Sequence, residues 1–211
     1  MPEQVRKPST RTRLLEAAAA VFARKGYGDA TVAEICDEAG ANISAVNYHF
    51  GSKEELYRSA WQHAFKQALP YPKEAECAGD ATPQEHLRRY IFTLVRRIAD
   101  PKNVVFDIME HEFARPTGLL RDIVAAELKP HKTHFTTHIT ALLGGSATVE
   151  NVELCRASIM AQCFHLKKLR RLHETHGEMA NFTRLESGRY AEHVYRFSLG
   201  GIAAIREGGA R

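Results

Sequence analysis

TVAEICDEAGANISAVNYHFGSKEEL, residues Thr31–Leu56, holds two short helical patterns joined by the tight turn Ala39-Gly40-Ala41-Asn42. Thr31 and Glu34 stand at the T-x-x-E spacing at which each side chain can satisfy a free backbone N–H, so the first helix carries its own start signal. Val32, Ile35 and Ala39 follow at i, i+3 and i+7 and predict one buried stripe. Gly40 falls where the chain must reverse, because glycine reaches positive φ there without a steric penalty. In the second helix Ile43, Val46 and Phe50 repeat the spacing, which predicts an inward face and turns Ser44, Ala45, Tyr48 and His49 outward. A further box, Ser52 to Glu55, opens the next helix and pins the second one between fixed ends. A short pinned helix with a polar and aromatic outer face is the layout of a helix-turn-helix that reads DNA.

The same block resembles the DNA-binding segment of TetR-type transcriptional regulators, most distinctively in Tyr48-His49-Phe50 followed by Ser52-Lys53-Glu54-Glu55-Leu56. The resemblance extends over residues 10 to 66. Asn42-Ile43 with Asn47-Tyr48-His49-Phe50 is similar to a CecR-like subgroup, whose C-terminal half is also recognisable here. Ser44 and Ala45, near the start of the second helix, are positioned to meet base edges, by a hydroxyl hydrogen bond and by contact with a thymine methyl. Asn47 stands at the border of the inward stripe, where it either pairs with adenine or holds the neighbouring helix. Tyr48, His49, Lys53 and Thr31 resemble the family's backbone contacts, which set register without reading sequence.

Composition agrees with a regulator of this kind. At 211 residues the chain accommodates a small DNA-binding unit and one larger helical domain, and 44% hydrophobic residues allow a full core. The net charge of +4 is modest, and residues 1 to 66 carry nine Lys/Arg against eight Asp/Glu, so no broad basic surface is present. Charge clusters instead at the start: Arg6, Lys7, Arg11 and Arg13 against Glu3 make a cationic arm that could track phosphates or a minor groove, or remain solvated. The N-terminal apolar run Ala17 to Ala23 is too short for a secretory signal and belongs to an amphipathic helix with Leu14, Leu15, Ala18, Val21 and Phe22. No stretch reads as a membrane span. Four cysteines without a secretion signal point to reduced thiols in the cytoplasm. Cys155 and Cys163 lie roughly 12 Å apart along one expected helix and cannot bridge within it. They share a stripe with Val152, Ile159 and Leu166, which predicts small buried residues and leaves a redox sensor as the alternative.

No internal repeat and no strand-period run is present, and the fold class expected is all-α: a three-helix helix-turn-helix domain followed by a helical bundle. Residues 1–9 read as a flexible basic arm, 10–52 as the DNA-binding domain and 53–211 as a ligand-binding and dimerisation domain. Helix 4, over 53–69, connects the last two and presents Leu56, Tyr57, Ala60, Trp61, Ala64 and Phe65 as a broad buried face. Pro70 to Ala81 reads as a linker. Thr82-Pro83-Gln84-Glu85 then restarts a helix with Pro at its first position. Further helices are expected near 83–99, 103–114, 117–142, 148–172 and 188–206, with Pro130 kinking or splitting the third. The resemblance implies that the last two pair with their counterparts in a second subunit as a four-helix bundle. Their stripes Val152, Cys155, Ile159, Cys163, Leu166 and Val194, Phe197, Gly201, Ile205 supply the face, ordinary intrachain core being the alternative.

Histidines raise a rival reading. His131, His134 and His138 fall at i, i+3 and i+7, Glu110-His111-Glu112 are consecutive, and His173 and His176 flank Glu174-Thr175. A metal site needs three or four converging ligands, of which helical spacing supplies two. No HExxH, cysteine knuckle or nucleophile elbow is present. The expectation is therefore solvated or core histidines, no cofactor, no metal and no catalytic residue. The function expected is a homodimeric, sequence-specific regulator of a double-stranded DNA operator, a repressor released by a small-molecule effector that enters among Phe92, Phe106, Met109, Phe113, Phe135 and Phe164. A metal- or redox-responsive sensor and a ligand-independent DNA binder stay open as alternatives.

Overall fold

Every regular element in the computed structural model is helical among the residues it describes, 8–68, 81–176 and 186–208. The order is α1 (Thr10–Asp29), α2 (Val32–Ala39), α3 (Ile43–Phe50), α4 (Lys53–Ala68), α5 (Pro83–Ala99), α6 (Val105–Ala114), α7 (Arg121–Leu143), a 3-10 turn at Gly144–Ser146, α8 (Val149–His176) and α9 (Ser187–Gly208). The all-α class expected from the sequence is what the chain adopts. Arg6 and Lys7 of the arm, residues 70–80 of the expected linker and the side chains of His173 and His176 lie outside the described residues.

Two compact units form, one from residues 1–70 and 102–126, the other from 71–101 and 127–211. In the first, Ser9 caps α1 by accepting from Thr12 N–H, and the stripe Leu14, Leu15, Ala18, Val21 and Phe22 is buried as its periodicity predicts. It meets Ile35, Val46, Leu56, Tyr57 and Trp61 in one core, to which α6 adds Val105 and Ile108. The close approach of α6 to α1 has a local cause. Gly26 breaks the helix at φ 74°, and a Cβ there would stand 3.1 Å from the His111 ring, which itself lies 3.1 Å from the Ala23 carbonyl. Glu112 accepts from the Tyr57 hydroxyl at 3.1 Å and from Thr117 and Gly118, so His111 and Glu112 both take part in the packing of this unit. Arg58 Nε donates to the Leu119 carbonyl, fixing the turn before α7 and moving the start of α7 to Arg121.

In the second unit α5 begins at the expected capping box: Thr82 Oγ1 accepts from Glu85 N–H, and the Glu85 carboxylate accepts from Thr82 N–H at 2.7 Å. Leu87, Ile91 and Val95 of α5, Phe135 and Ile139 of α7, Ile159 and Cys163 of α8, and Val194 and Ile202 of α9 are buried here. Tyr90 stacks on Phe135 at 4.0 Å, and Tyr190 donates to the Gln162 carbonyl at 2.6 Å. Pro130 does not split α7, which runs on to Leu143. Proline removes the N–H that would have reached the Ala126 carbonyl and crowds that carbonyl, a local cost that the helix absorbs without ending.

The stripe expected to face a second subunit is corrected on α8, where Cys155, Ile159, Cys163 and Leu166 are core of this chain while Leu154, Phe164 and Leu172 are exposed. On α9 Val194 is core, but Phe197 and Gly201 of the expected stripe are exposed and Ile205 is half-buried. On α7 the histidine face meets α5. His86 stacks on His138 with ring centroids 4.2 Å apart, and His134 approaches His138 edge-on at 4.6 Å. Burial first, then the neighbouring imidazoles, hold His138 down to about 4, and burial, then His86, lowers His134.

Candidate nucleic-acid interface

Thr31 caps α2, its exposed hydroxyl accepting from Glu34 N–H at 3.2 Å. The box does not close: the Glu34 carboxylate turns to Lys25 at 2.9 Å instead of reaching back. Glu38 pairs likewise with Arg24, so two cations of α1 offset two carboxylates of α2. Gly40 takes the left-handed conformation (φ 58°, ψ 44°), as the turn requires. Arg13 closes the same corner. Its Nε donates to the Ala39 carbonyl at 3.1 Å, so this guanidinium, expected at phosphate, is engaged with the end of α2. Asn42, expected in the turn, also caps α3 through Oδ1, which accepts from Ala45 N–H at 2.9 Å.

α3 is held by Val46 and Phe50, 1% and 7% exposed. Ala45 and His49 flank them half-buried, while Ile43, Ser44, Asn47 and Tyr48 face outward, Ile43 at 53% and Tyr48 at 85% exposure. The presented face is therefore rotated by about one residue, roughly 100°, from the expected one. Ile43 leaves the inward stripe, Asn47 leaves the border and joins the open face, and Ala45 and His49 turn toward the core edge. The signal for this was Asn42: a cap there makes Ile43 the first helical residue, ahead of the turn that packs.

The surroundings are cationic and aromatic. The Arg11 guanidinium lies over the Phe50 ring at 5.4 Å, beside the end of α3. Lys53 Nζ sits 4.4 Å from the centre of the Tyr27 ring. The Tyr27 hydroxyl donates to Glu54 at 2.7 Å, a bond that, after burial, helps push Tyr27 up to about 12 and lowers Glu54. Ser52 caps α4 by accepting from Glu55 N–H. No acidic residue occurs in α3.

The residues named as effector contacts are divided between the two units. Phe106 is buried and Met109 packs on the core of the first unit, whereas Phe113 is 76% exposed. In the second unit Phe135 is buried against Tyr90 and Phe164 is exposed. Phe92 lines a cleft of about 180 Å³ with Thr93, Arg96, Ser187, Gly188 and Ala191, and carries the Arg88 guanidinium over its ring at 4.3 Å. Trp61 is buried, stacked on Phe65 at 5.0 Å, and its Nε1 has no hydrogen-bond partner.

A tripod of helices presenting one short, doubly capped helix defines a helix-turn-helix DNA-binding protein. Residues 14–60 match the family described as bacterial regulatory proteins, tetR family, and residues 83–202 match the C-terminal domain of the HTH-type transcriptional dual regulator CecR. The chain belongs to the TetR family of transcriptional regulators and carries a CecR-type C-terminal domain. It is 30% identical over 155 residues to the dual regulator CecR of Shigella flexneri, covering 68% of this chain and 69% of that protein. It is 35% identical over 86 residues to the transcriptional repressor NicS of Pseudomonas putida, 39% of this chain and 38% of the relative. In fold it is similar to the fatty acid degradation regulator FadR from Bacillus halodurans (TM-score 0.68, 17% identity, 93% and 97% of the two chains). It is also similar to a TetR-like regulator from Rhodococcus sp. RHA1 (TM-score 0.67, 16% identity, 94% and 99%). No helix among the described residues is long and apolar enough to cross a membrane.

Proposed function

We infer that this regulator acts in the cytoplasm as a homodimeric repressor that leaves its operator when a small molecule binds the helical C-terminal part. The observation that carries the DNA-binding half of this reading is the outward face of α3, where Ile43, Ser44, Asn47 and Tyr48 are exposed on a helix capped at both ends and free of acidic side chains. Asn47 and Ser44 read base edges by hydrogen bonding, and Ile43 joins or replaces Ala45 as the apolar contact to a thymine methyl. Tyr48, His49, Lys53, Thr31 and Arg11 hold phosphates, with Arg13 contributing through the geometry of the turn. One such helix reads only a few base pairs, so two copies related by a two-fold axis are needed to read half-sites about 34–36 Å apart. Exposed Leu154 and Phe197 supply apolar surface on α8 and α9 for that pairing.

The effector works by binding one arrangement of the dimer better than the other. Phe92 and its cleft support entry in the second unit; Phe106, Met109, Phe113, Phe135 and Phe164 are the remaining candidates. The test is a binding titration on the DNA flanking the protein's own gene against scrambled duplex, repeated with candidate compounds. A repressor of this type binds the former more tightly and loses roughly 5–150-fold in affinity with its effector. Equal affinity for all duplexes would remove the sequence-reading role, and indifference to every compound would leave a ligand-independent DNA binder.

A further inference from the structure

Three imidazoles gathered on α5 and α7 have no part in the DNA-facing helices, and they supply the third converging ligand that spacing along one helix cannot. His134 and His138 are four residues apart on one face of α7, and His86 reaches them from the first turn of α5. Each offers a ring nitrogen, and the three nitrogens lie within 4.8 Å of one another. His138 Nε2 is buried and has no hydrogen-bond partner. A buried polar atom left unpaired calls for an occupant, because folding otherwise removes its water without replacement. All three side chains are half-buried, so solvent reaches one side of the cluster.

We propose that His86, His134 and His138 form a binding site for one divalent transition-metal ion of the zinc class, held by three imidazoles with its remaining coordination open to solvent. Imidazole nitrogen suits zinc, nickel, cobalt and copper, whereas magnesium and calcium require oxygen ligands. A tetrahedral ion with Zn–N of about 2.0–2.1 Å needs its ligand nitrogens roughly 3.3 Å apart. The three nitrogens stand within 4.8 Å of one another and the His86 and His138 rings are 12° from parallel, so binding requires these rings to tilt and close on the ion. The donors carry no negative charge. Glu85, next to His86, is engaged in the Thr82 capping box, and among the described residues no carboxylate or thiol joins the three imidazoles, so water, hydroxide or a small anion completes the shell. The site ties α5 to α7 and stands independently of the DNA-binding reading.

Full-length protein stripped with a chelator and titrated with Co²⁺ decides the matter. The expected result is one Co²⁺ per chain, a visible d–d absorption of a nitrogen and oxygen site without a thiolate charge-transfer band, and displacement by one equivalent of Zn²⁺. His86→Gln and His138→Ala each weaken binding by at least about tenfold, since even outer-shell changes cost 10–100-fold. His193→Ala, at an exposed histidine of α9, leaves it unchanged. If His138→Ala fails to fold, His86→Gln, near the helix start, gives the same reading. Absence of saturable Co²⁺ or Zn²⁺ binding, a thiolate band, or wild-type affinity in His86→Gln overturns the proposal.

Discussion

The proposed phosphate contacts of Tyr48 and Lys53 are of two kinds that titration in salt can tell apart. Tyr48 is 85% exposed and its ring meets His49 edge-on at 4.9 Å, so Tyr48→Ala is expected to change folding stability by less than about 0.5 kcal/mol. A phenol donating to phosphate contributes about 1.5–3 kcal/mol. Its loss weakens each half-site roughly 10- to 150-fold, and a dimer loses two such contacts. The phenol is neutral and displaces no counterion, so the slope of log affinity against log salt stays as in the wild type. Lys53→Ala behaves otherwise. It removes a cation near the DNA and lowers the slope by about 0.9 per protomer. It also forfeits the ammonium over Tyr27, worth about 0.5–1 kcal/mol of stability. The assay is fluorescence anisotropy on operator and random duplex across a salt series, with thermal melts of each variant. Tyr48→Ala binding within twofold of wild type, or a slope change equal to that of Lys53→Ala, refutes the division.

Local geometry supplies three further expectations. Asn42→Ala removes the α3 cap and lowers stability by about 1 kcal/mol in urea titrations, whereas Asn42→Asp retains most of it; equal stability of the alanine variant would contradict the cap. Gly40→Ala costs on the order of 1 kcal/mol from its left-handed backbone alone, because no atom lies within 4 Å of the new Cβ. Gly26→Ala must cost more, since its Cβ also meets the His111 ring at 3.1 Å; equal losses would refute that close approach. Burial pushes the Cys163 thiol up to about 12 and raises Cys36 and Cys155. None of the three should be alkylated in native protein at pH 8, as peptide mass mapping reports, and rapid labelling of Cys163 would revive a redox sensor.

The helix-turn-helix was legible because its determinants are local. Thr31, Gly40 and Ser52 act on residues within four positions, and the α1 and α4 stripes are long enough for their period to fix the buried face. α3 spans eight residues, too few for the period to do so. There Val46 and Phe50 set the face, and Ile43, one turn earlier, lies beyond the reach of the core. Contacts between distant segments were not legible at all. Arg13 on the Ala39 carbonyl, His111 against Ala23 and Gly26, and His86 with His134 and His138 each join residues whose separation leaves no periodic trace. The same limit moved the expected dimer stripe: α8 has apolar residues on two faces, and only packing against α5 and α9 decides that Cys155, Ile159 and Cys163 turn inward.

Chemical footprinting of the full-length protein on the DNA flanking its own gene bears most directly on the central claim that α3, in duplicate, reads neighbouring grooves. Two protected patches on one face of the duplex, centred about 34–36 Å apart and lost together in a variant changed at Ser44 and Asn47, are the result expected. Folded protein that protects no duplex even at low salt would contradict it.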